Sequence, residues 1–127
     1  MIYGVGTDVV EIERIRQALE RWGERFARKI LVDSELARFR AHRLPASYLA
    51  KRFAAKEAFG KALGTGIRSP AGWHGMWVVN LPSGKPELRF TDRLAERLRE
   101  KGVERTHLSL SDEKGTAFAV VILECEK

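Results

Sequence analysis

The most informative stretch of the sequence is Arg52-Phe53-Ala54-Ala55-Lys56-Glu57-Ala58-Phe59-Gly60-Lys61-Ala62-Leu63-Gly64-Thr65-Gly66. It predicts the second part of a long helix that starts at about Ala46 or Ser47, ends at Leu63 and is followed by a flexible glycine turn. Alanine favours helix, and its small side chain lets neighbouring elements approach closely. Five alanines therefore predict a central helix with close neighbours: Ala50, Ala54, Ala55, Ala58 and Ala62.

The segments on either side of this helix predict short strands and further helices. Before the helix, the patterns predict a glycine-rich strand (2–9), an amphipathic helix from Ile12 that Gly23 breaks in two, and a short helix capped at Asp33-Ser34. After it, they predict a hairpin (76–90), a helix from Thr91 to about Lys101, and a second hairpin with strands 106–111 and 116–124. This order predicts a single α+β domain over residues 1–127, with an antiparallel sheet packed on helices.

The composition limits the kind of protein that this chain can form. Its 127 residues and 44% apolar content allow one modest core. A domain of this size has little room for a deep cleft, which favours a site between subunits. The single cysteine, Cys125, excludes an intrachain disulfide. No leader and no run of roughly 20 apolar residues is visible, so we expect a cytoplasmic protein that does not enter a membrane.

The charge balance indicates an anionic partner. The net charge is +6 and the pI is about 9.8, which suits nucleic acid, an anionic membrane, a phosphorylated small molecule or an acidic protein. Glutamates are interleaved with the arginines of the first helix, and this argues against a stripe that follows a nucleic-acid backbone. A basic nucleic-acid-binding module without catalysis is the alternative to an enzyme.

Two carboxylates each allow a structural and a functional interpretation. Glu57 is followed four residues later by Lys61, a spacing typical of a surface ion pair. Yet a carboxylate among cations, beside a glycine turn whose N–H groups could face an anion, is also what a metal–phosphate site requires. Asp8 could cap the first helix together with Glu11. Because it follows glycines at the end of a strand, it could equally be a metal ligand.

Three segments together resemble one family, the holo-[acyl-carrier-protein] synthases, which are small phosphopantetheinyl transferases. The segments are residues 2–12, residues 52–66 and His107-Leu108-Ser109-Leu110-Ser111. The resemblance implies transfer of 4′-phosphopantetheine from coenzyme A to a serine of apo acyl carrier protein, in fatty acid biosynthesis. It also implies a compact α+β domain that forms a homotrimer with coenzyme A between adjacent subunits.

The resemblance also assigns roles to residues. Asp8 and Glu57 fall on the family's metal-ligand positions, with Mg²⁺ as the expected ion, and Lys61 would neutralise charge during the transfer. The residues expected around the nucleotide and its phosphates are Arg52, Lys56, Lys61, Gly64, Thr65, Pro86 and His107. The residues expected to dock the acidic carrier protein are Arg14, Arg21, Arg25, Arg28 and Lys29. Some members have a histidine where this chain has Asp112, so no role of that histidine is carried over. Without the resemblance, His107 on a polar strand face would be read as a solvated side chain.

Overall fold

The structure is a computed structural model that describes residues 1–126. Within them the chain forms these elements in order: β1 (Ile2–Glu11), α1 (Ile12–Trp22), α2 (Glu24–Ile30), α3 (Asp33–Ala41), α4 (Pro45–Leu63), β2 (Met76–Asn80), β3 (Pro86–Phe90), α5 (Asp92–Glu100), β4 (Val103–Glu113) and β5 (Thr116–Cys125). The predicted α+β class is confirmed. The predicted break of the first helix at Gly23 is confirmed as well.

Helix α4 forms the centre of the fold and has the ends that its sequence predicts. It begins with Pro45, whose missing N–H costs nothing at the first position of a helix. It ends at Leu63, and the C-cap residue Gly64 adopts the left-handed conformation (φ 88°) that terminates many helices. Ala54, Ala55 and Ala58 are fully buried. Their small side chains let the sheet pack directly on the helix.

Strand β1 approaches α4 so closely that only glycine fits at two of its positions. A Cβ added to Gly6 would lie 1.9 Å from the carbonyl oxygen of Ala58. A Cβ added to Gly4 would lie 2.0 Å from the carbonyl oxygen of Ala62. The glycines of the strand and the alanines of the helix therefore form one interface, which sets the distance between the two backbones.

The three-stranded sheet has the order β1-β5-β4, with both pairs antiparallel. Side chains alternate between its faces, and the inner face packs Ala119, Val121 and Leu123 onto the core. The outer face carries these exposed apolar side chains: Tyr3, Val5, Val9, Phe118 and Val120. We call this set the outer sheet patch.

Strands β2 and β3 form the predicted first hairpin, as a separate two-stranded sheet. The cap predicted for α5 is confirmed, because Thr91 Oγ1 accepts a hydrogen bond from Leu94 N at 3.3 Å. The predicted cap of α3 at Asp33-Ser34 is wrong. The N-cap is Val32, whose N–H donates to Glu35 Oε1 at 3.1 Å. Among the helices of residues 1–126, none has the length and apolarity to cross a membrane.

Candidate active site

Three charged side chains from β1 and α4 lie together at the surface. Asp8 and Glu57 both line a pocket of about 480 Å³. Lys61 lies one turn after Glu57 on the same face of α4. Its Nζ donates to Asp8 Oδ1 and to the Thr7 carbonyl oxygen, both at 3.0 Å. The contact between β1 and α4 thus brings together two carboxylates that are 49 positions apart in the sequence.

The structural interpretations of the two carboxylates are wrong. Asp8 lies inside β1, and the N-cap of α1 is Glu11, which makes no side-chain capping hydrogen bond. In the part of the chain that is described, Lys61 pairs with Asp8 and Glu57 forms no ion pair. Glu57 is therefore available to a ligand in the pocket, and Asp8, whose Oδ1 accepts from Lys61, can offer its Oδ2.

The environment of Glu57 favours a cation. Burial raises the pKa of its carboxyl group, the negative charge of Asp8 raises that pKa further, and Lys61 opposes both effects. The two carboxylates line this half-buried pocket together with Arg14, and Lys61 pairs with Asp8. Over residues 1–126 no group of three or more metal-binding side chains occurs, so the protein offers two carboxylates. That number suits Mg²⁺, which takes one or two carboxylates and completes its shell with water and substrate phosphate.

The glycine turn does not present its N–H groups to an anion, contrary to the sequence-based expectation. The N–H groups of Gly64, Thr65 and Gly66 all donate to the carbonyl oxygen of Gly60, at 3.0, 3.1 and 3.0 Å. The last carbonyl groups of a helix lack partners within the helix, and here the turn folds back to satisfy one of them. Any contact of Gly64 or Thr65 with a nucleotide must use other atoms.

Lys56 lies in the core rather than in the pocket. Its side chain is fully buried, and Nζ donates to three acceptors, the carbonyl oxygens of Ile30 (2.6 Å) and Trp73 (2.8 Å) and the carboxylate of Glu35 (2.8 Å). Burial lowers the pKa of Lys56, while Glu35 opposes this shift. Since all three donors are used and no surface is exposed, Lys56 has no donor left for a phosphate.

Arg52 is also buried, on the side of α4 that faces the first hairpin. Its guanidinium lies 4.0 Å from the ring centre of Tyr48, and Nη2 donates to Asn80 Oδ1 at 2.9 Å. Asn80 pairs with Pro86 across the hairpin, so two of the residues expected near the nucleotide lie close together. Arg52 Nε has no hydrogen-bond partner among the described residues.

His107 lies on the outer face of the sheet. It is opposite Ile122 in the β4–β5 register, and its Nε2 is 2.6 Å from Glu124 Oε1. The sheet therefore separates His107 from the pocket of Asp8 and Glu57. The residues expected around the nucleotide fall into three groups within one chain: Lys61, Gly64 and Thr65 at the end of α4; Arg52 and Pro86 at the first hairpin; and His107 on the outer sheet face.

The residues expected to dock the carrier protein are all exposed on α1 and α2. Arg14 lines the pocket of Asp8 and Glu57. Arg25 and Lys29 line a neighbouring groove together with Trp22 and Phe26. Phe26 borders both cavities, so this basic surface, formed by Arg14, Arg21, Arg25, Arg28 and Lys29, adjoins the carboxylate pocket.

Two features of the site were not predicted from the sequence. Glu35 is 1% exposed and holds Lys56, although a glutamate three residues after the N-cap of a helix is itself a capping signal. The indole of Trp73 stacks on Phe53, with ring centres 5.2 Å apart, and Phe53 lines the carboxylate pocket. No sequence pattern links Phe53 with Trp73, since one lies on the helix and the other in a loop.

Comparison with known proteins identifies relatives over nearly the whole chain. Residues 4–121 match the model of the ACPS family, described as the 4′-phosphopantetheinyl transferase superfamily. The chain is 52% identical to the holo-[acyl-carrier-protein] synthase of Nitrosomonas europaea, covering 98% of this chain and 99% of that protein.

Solved structures show the same likeness. The holo-[acyl-carrier-protein] synthase of Neisseria meningitidis is similar to this chain with a TM-score of 0.94 and 45% identity, over 98% and 99% of the two chains. The holo-(acyl-carrier-protein) synthase of Bacillus anthracis, solved in complex with CoA (3′,5′-ADP), gives a TM-score of 0.82 and 35% identity, over 99% of each chain.

Proposed function

The chain belongs to the 4′-phosphopantetheinyl transferase superfamily, and we propose that Asp8, Glu57 and Lys61 form its active site. It transfers the 4′-phosphopantetheine group of coenzyme A to a serine of apo acyl carrier protein. The products are holo carrier protein, used in fatty acid biosynthesis in the cytoplasm, and adenosine 3′,5′-bisphosphate. The observation that carries the assignment of the site is the meeting of Asp8 and Glu57 in one pocket, with Lys61 beside them.

The two carboxylates fit a divalent cation, and we propose Mg²⁺. Both line the same pocket, and the raised pKa of Glu57, caused first by burial and then by the charge of Asp8, means that ionising Glu57 carries a cost. A hard cation with oxygen ligands removes that cost and leaves coordination positions for water and phosphate oxygens. Bound Mg²⁺ would supply neutralisation of the negative charge on the phosphates of coenzyme A.

The side chains of the protein itself supply position and charge. The serine oxygen of the carrier protein bonds to the phosphorus nearest the pantetheine, and the bond from that phosphorus to the bridging oxygen breaks. The bisphosphate leaves with the electron pair of that bond, while the serine hydroxyl releases its proton to solvent. Lys61 would stabilise the negative charge that develops on the phosphate oxygens. The Thr7 carbonyl oxygen and Asp8 hold its ammonium group at the pocket edge, so little reorganisation is needed during the reaction.

We propose that coenzyme A binds between two copies of the chain. The residues assigned to the nucleotide lie in three separate places of one chain, and a second copy can bring its own His107, Arg52 and Pro86 to the Gly64 and Thr65 of the first. Lys56 is left out of the proposed contacts because its donors are already used.

A homotrimer that buries the outer sheet patch would create such shared sites. Val5 and Val9 are 53% and 59% exposed in the isolated chain, and His107 lies on the same face. Adjoining apolar side chains in such numbers are typical of surfaces that associate. We expect Val120→Lys to convert a trimer into monomers in analytical ultracentrifugation and to abolish transfer. A monomeric but fully active variant would contradict the shared site. Arg93→Glu, which alters the exposed surface of α5, serves as the control.

The transfer itself is tested by mass spectrometry. Purified protein, coenzyme A, Mg²⁺ and apo acyl carrier protein should give a carrier protein that is heavier by one phosphopantetheine group, and a chelator should prevent the change. Asp8→Asn and Glu57→Gln should each abolish transfer while the far-ultraviolet circular dichroism stays unchanged. Transfer by both variants at the normal rate would refute the metal assignment, and no transfer under any divalent cation would refute the proposed function.

A further inference from the structure

A buried ion pair joins α4 to four other parts of the chain, immediately beside the active site. Lys56 Nζ donates to the carbonyl oxygens of Ile30, at the end of α2, and Trp73, in the loop before β2, and to Glu35 of α3. Glu35 accepts from the N–H of Val32 through Oε1 and, at 2.8 Å, from the N–H of Val78 in β2 through Oε2. Lys56 directly precedes Glu57, so these contacts are made one residue away from a carboxylate of the site.

Stability alone does not account for this pair. Removing two charges from water is costly, and apolar side chains of similar size often stabilise a core as well as a buried ion pair or better. What an apolar pair cannot do is hold two carbonyl groups and two N–H groups from four segments at fixed distances. Here the hydrogen bonds measure 2.6 to 3.1 Å, and the contacts depend on direction. The arrangement therefore fixes the positions of the four segments relative to one another.

The geometry in question is that of α2 relative to α4. Helix α2 has only seven residues, so it has little stability of its own. Its last residue, Ile30, is held by Lys56. Its Arg28 carbonyl oxygen accepts from His74 Nε2 at 2.8 Å, next to the Trp73 carbonyl group that Lys56 also holds. These two hydrogen-bonded restraints at the end of α2 lead to Lys56, directly or through the loop at residues 73–74. The start of α2 is held separately, because Arg40 of α3 donates to the carboxylate of Glu24.

We propose that Lys56 and Glu35 are a positioning pair. The pair holds the basic surface of α2 at a fixed distance and angle from Glu57. At that distance and angle, the serine of a docked carrier protein reaches the pocket. The inference rests on the proposed function of that pocket. Arg25 and Lys29 extend from α2, and Phe26 borders both the basic groove and the carboxylate pocket. A shift of α2 would therefore misplace the carrier protein but leave Asp8, Glu57 and Lys61 in position, because these are fixed by the packing of β1 on α4.

The test compares Lys56→Met and the double variant Lys56→Met/Glu35→Gln with Leu94→Ala. The double variant avoids an unpaired buried carboxylate, which keeps the test usable where the single variant does not fold. Leu94 is fully buried on α5, so its truncation destabilises the fold without touching α2. Steady-state kinetics would be measured separately for apo acyl carrier protein and for coenzyme A, with carrier-protein affinity measured by titration in the absence of coenzyme A.

We expect the Lys56 variants to raise KM and Kd for the carrier protein by about tenfold or more, with KM for coenzyme A changed less than about threefold. Hydrogen exchange should accelerate in residues 24–30 and 70–75 but not in β1. Leu94→Ala should lower the melting temperature without raising KM for the carrier protein more than KM for coenzyme A. Four outcomes would each overturn the proposal. These are equal changes in KM for both substrates, no change in KM for either, the same difference between the two KM values in Leu94→Ala, and failure of both Lys56 variants to fold. Absence of transfer by the unmodified protein would instead refute the proposed function, and the titration and exchange results would still decide whether the pair positions α2.

Discussion

The position of Asp8 in the site depends on the close contact of β1 with α4 at Gly6. The substitution Gly6→Ala tests this contact directly. A methyl group at this position would lie 1.9 Å from the carbonyl oxygen of Ala58 and 2.6 Å from the backbone nitrogen of Ala62. Both neighbours are backbone atoms of a buried helix, so no side chain can rotate away. The strand or the helix must move.

The size of the movement follows from these distances. Ordinary van der Waals contact begins at 3.4 Å, so the backbones must separate by about 1.5 Å, and overpacking of this kind costs on the order of 1–3 kcal/mol. Asp8 lies two residues further along β1, and the same displacement would break its 3.0 Å contact with Lys61. Misplacement of a reacting group by about 1 Å lowers a rate by about 100-fold. We therefore expect a loss of about 100-fold in kcat/KM and a melting temperature lower by about 5–10 °C.

The assay is phosphopantetheine transfer at a temperature well below the melting transition of the variant. Gly72→Ala is the matched control, because a Cβ at Gly72 would meet no atom within 4 Å. We expect this control to retain the activity and melting temperature of the unmodified protein. If Gly6→Ala kept both as well, the close approach of β1 to α4 would not be what sets the position of Asp8, and the reasoning would be refuted.

Two further predictions concern charge. Glu57→Gln should raise the melting temperature of the metal-free protein at pH 7, because the raised pKa of Glu57 means that its charged form costs stability. That cost exists only above the pKa of Glu57 in the unfolded chain, so the difference should vanish as the pH falls through about 4.5, and a gain that persisted at pH 3 would contradict this cause. Arg25→Glu should raise KM for the carrier protein by about tenfold at low salt and by less at high salt, since surface charges act mainly on association. Arg93→Glu on α5 should have no such effect, and an equal response of both variants would refute docking on α2.

Local sequence patterns were sufficient to predict most of the fold. The alanines of α4, the break at Gly23, the cap at Thr91 and the two hairpins depend on neighbouring residues, and each was found where expected. The α3 cap was wrong because Asp33-Ser34 looked like a cap in isolation. The Glu35 side chain, which also pairs with Lys56 of another helix, satisfies the Val32 N–H instead.

The site was less predictable because it depends on contacts between distant segments. Asp8 and Glu57 were each ambiguous alone, and only the resemblance to a family joined them. The glycine turn looked suited to an anion, yet its N–H groups satisfy the Gly60 carbonyl oxygen. The residue composition of a flexible turn does not determine whether its N–H groups donate to a helix carbonyl oxygen or to an anion. Likewise no local pattern distinguishes a lysine that reaches solvent from one that finds three acceptors in the core.

The charged residues of α4 serve two purposes, one in the core of the fold and one at the carboxylate pocket. Arg52 and Lys56 are four residues apart and share one face, and Glu57 and Lys61 share another, about 100° further around the helix. The first face is directed to α3, the loop at Trp73 and the hairpin, and its charges are buried at 4% and 0% exposure. The second face is directed to Asp8, with the Lys61 side chain 53% exposed. The second face is held by the packing of β1 on α4 at Gly4 and Gly6, whereas the first face holds α2, α3 and the loop at Trp73 through Lys56. The adjacent residues Lys56 and Glu57 therefore have separate tasks, because Glu57 belongs to the pocket and Lys56 positions the segments beside it.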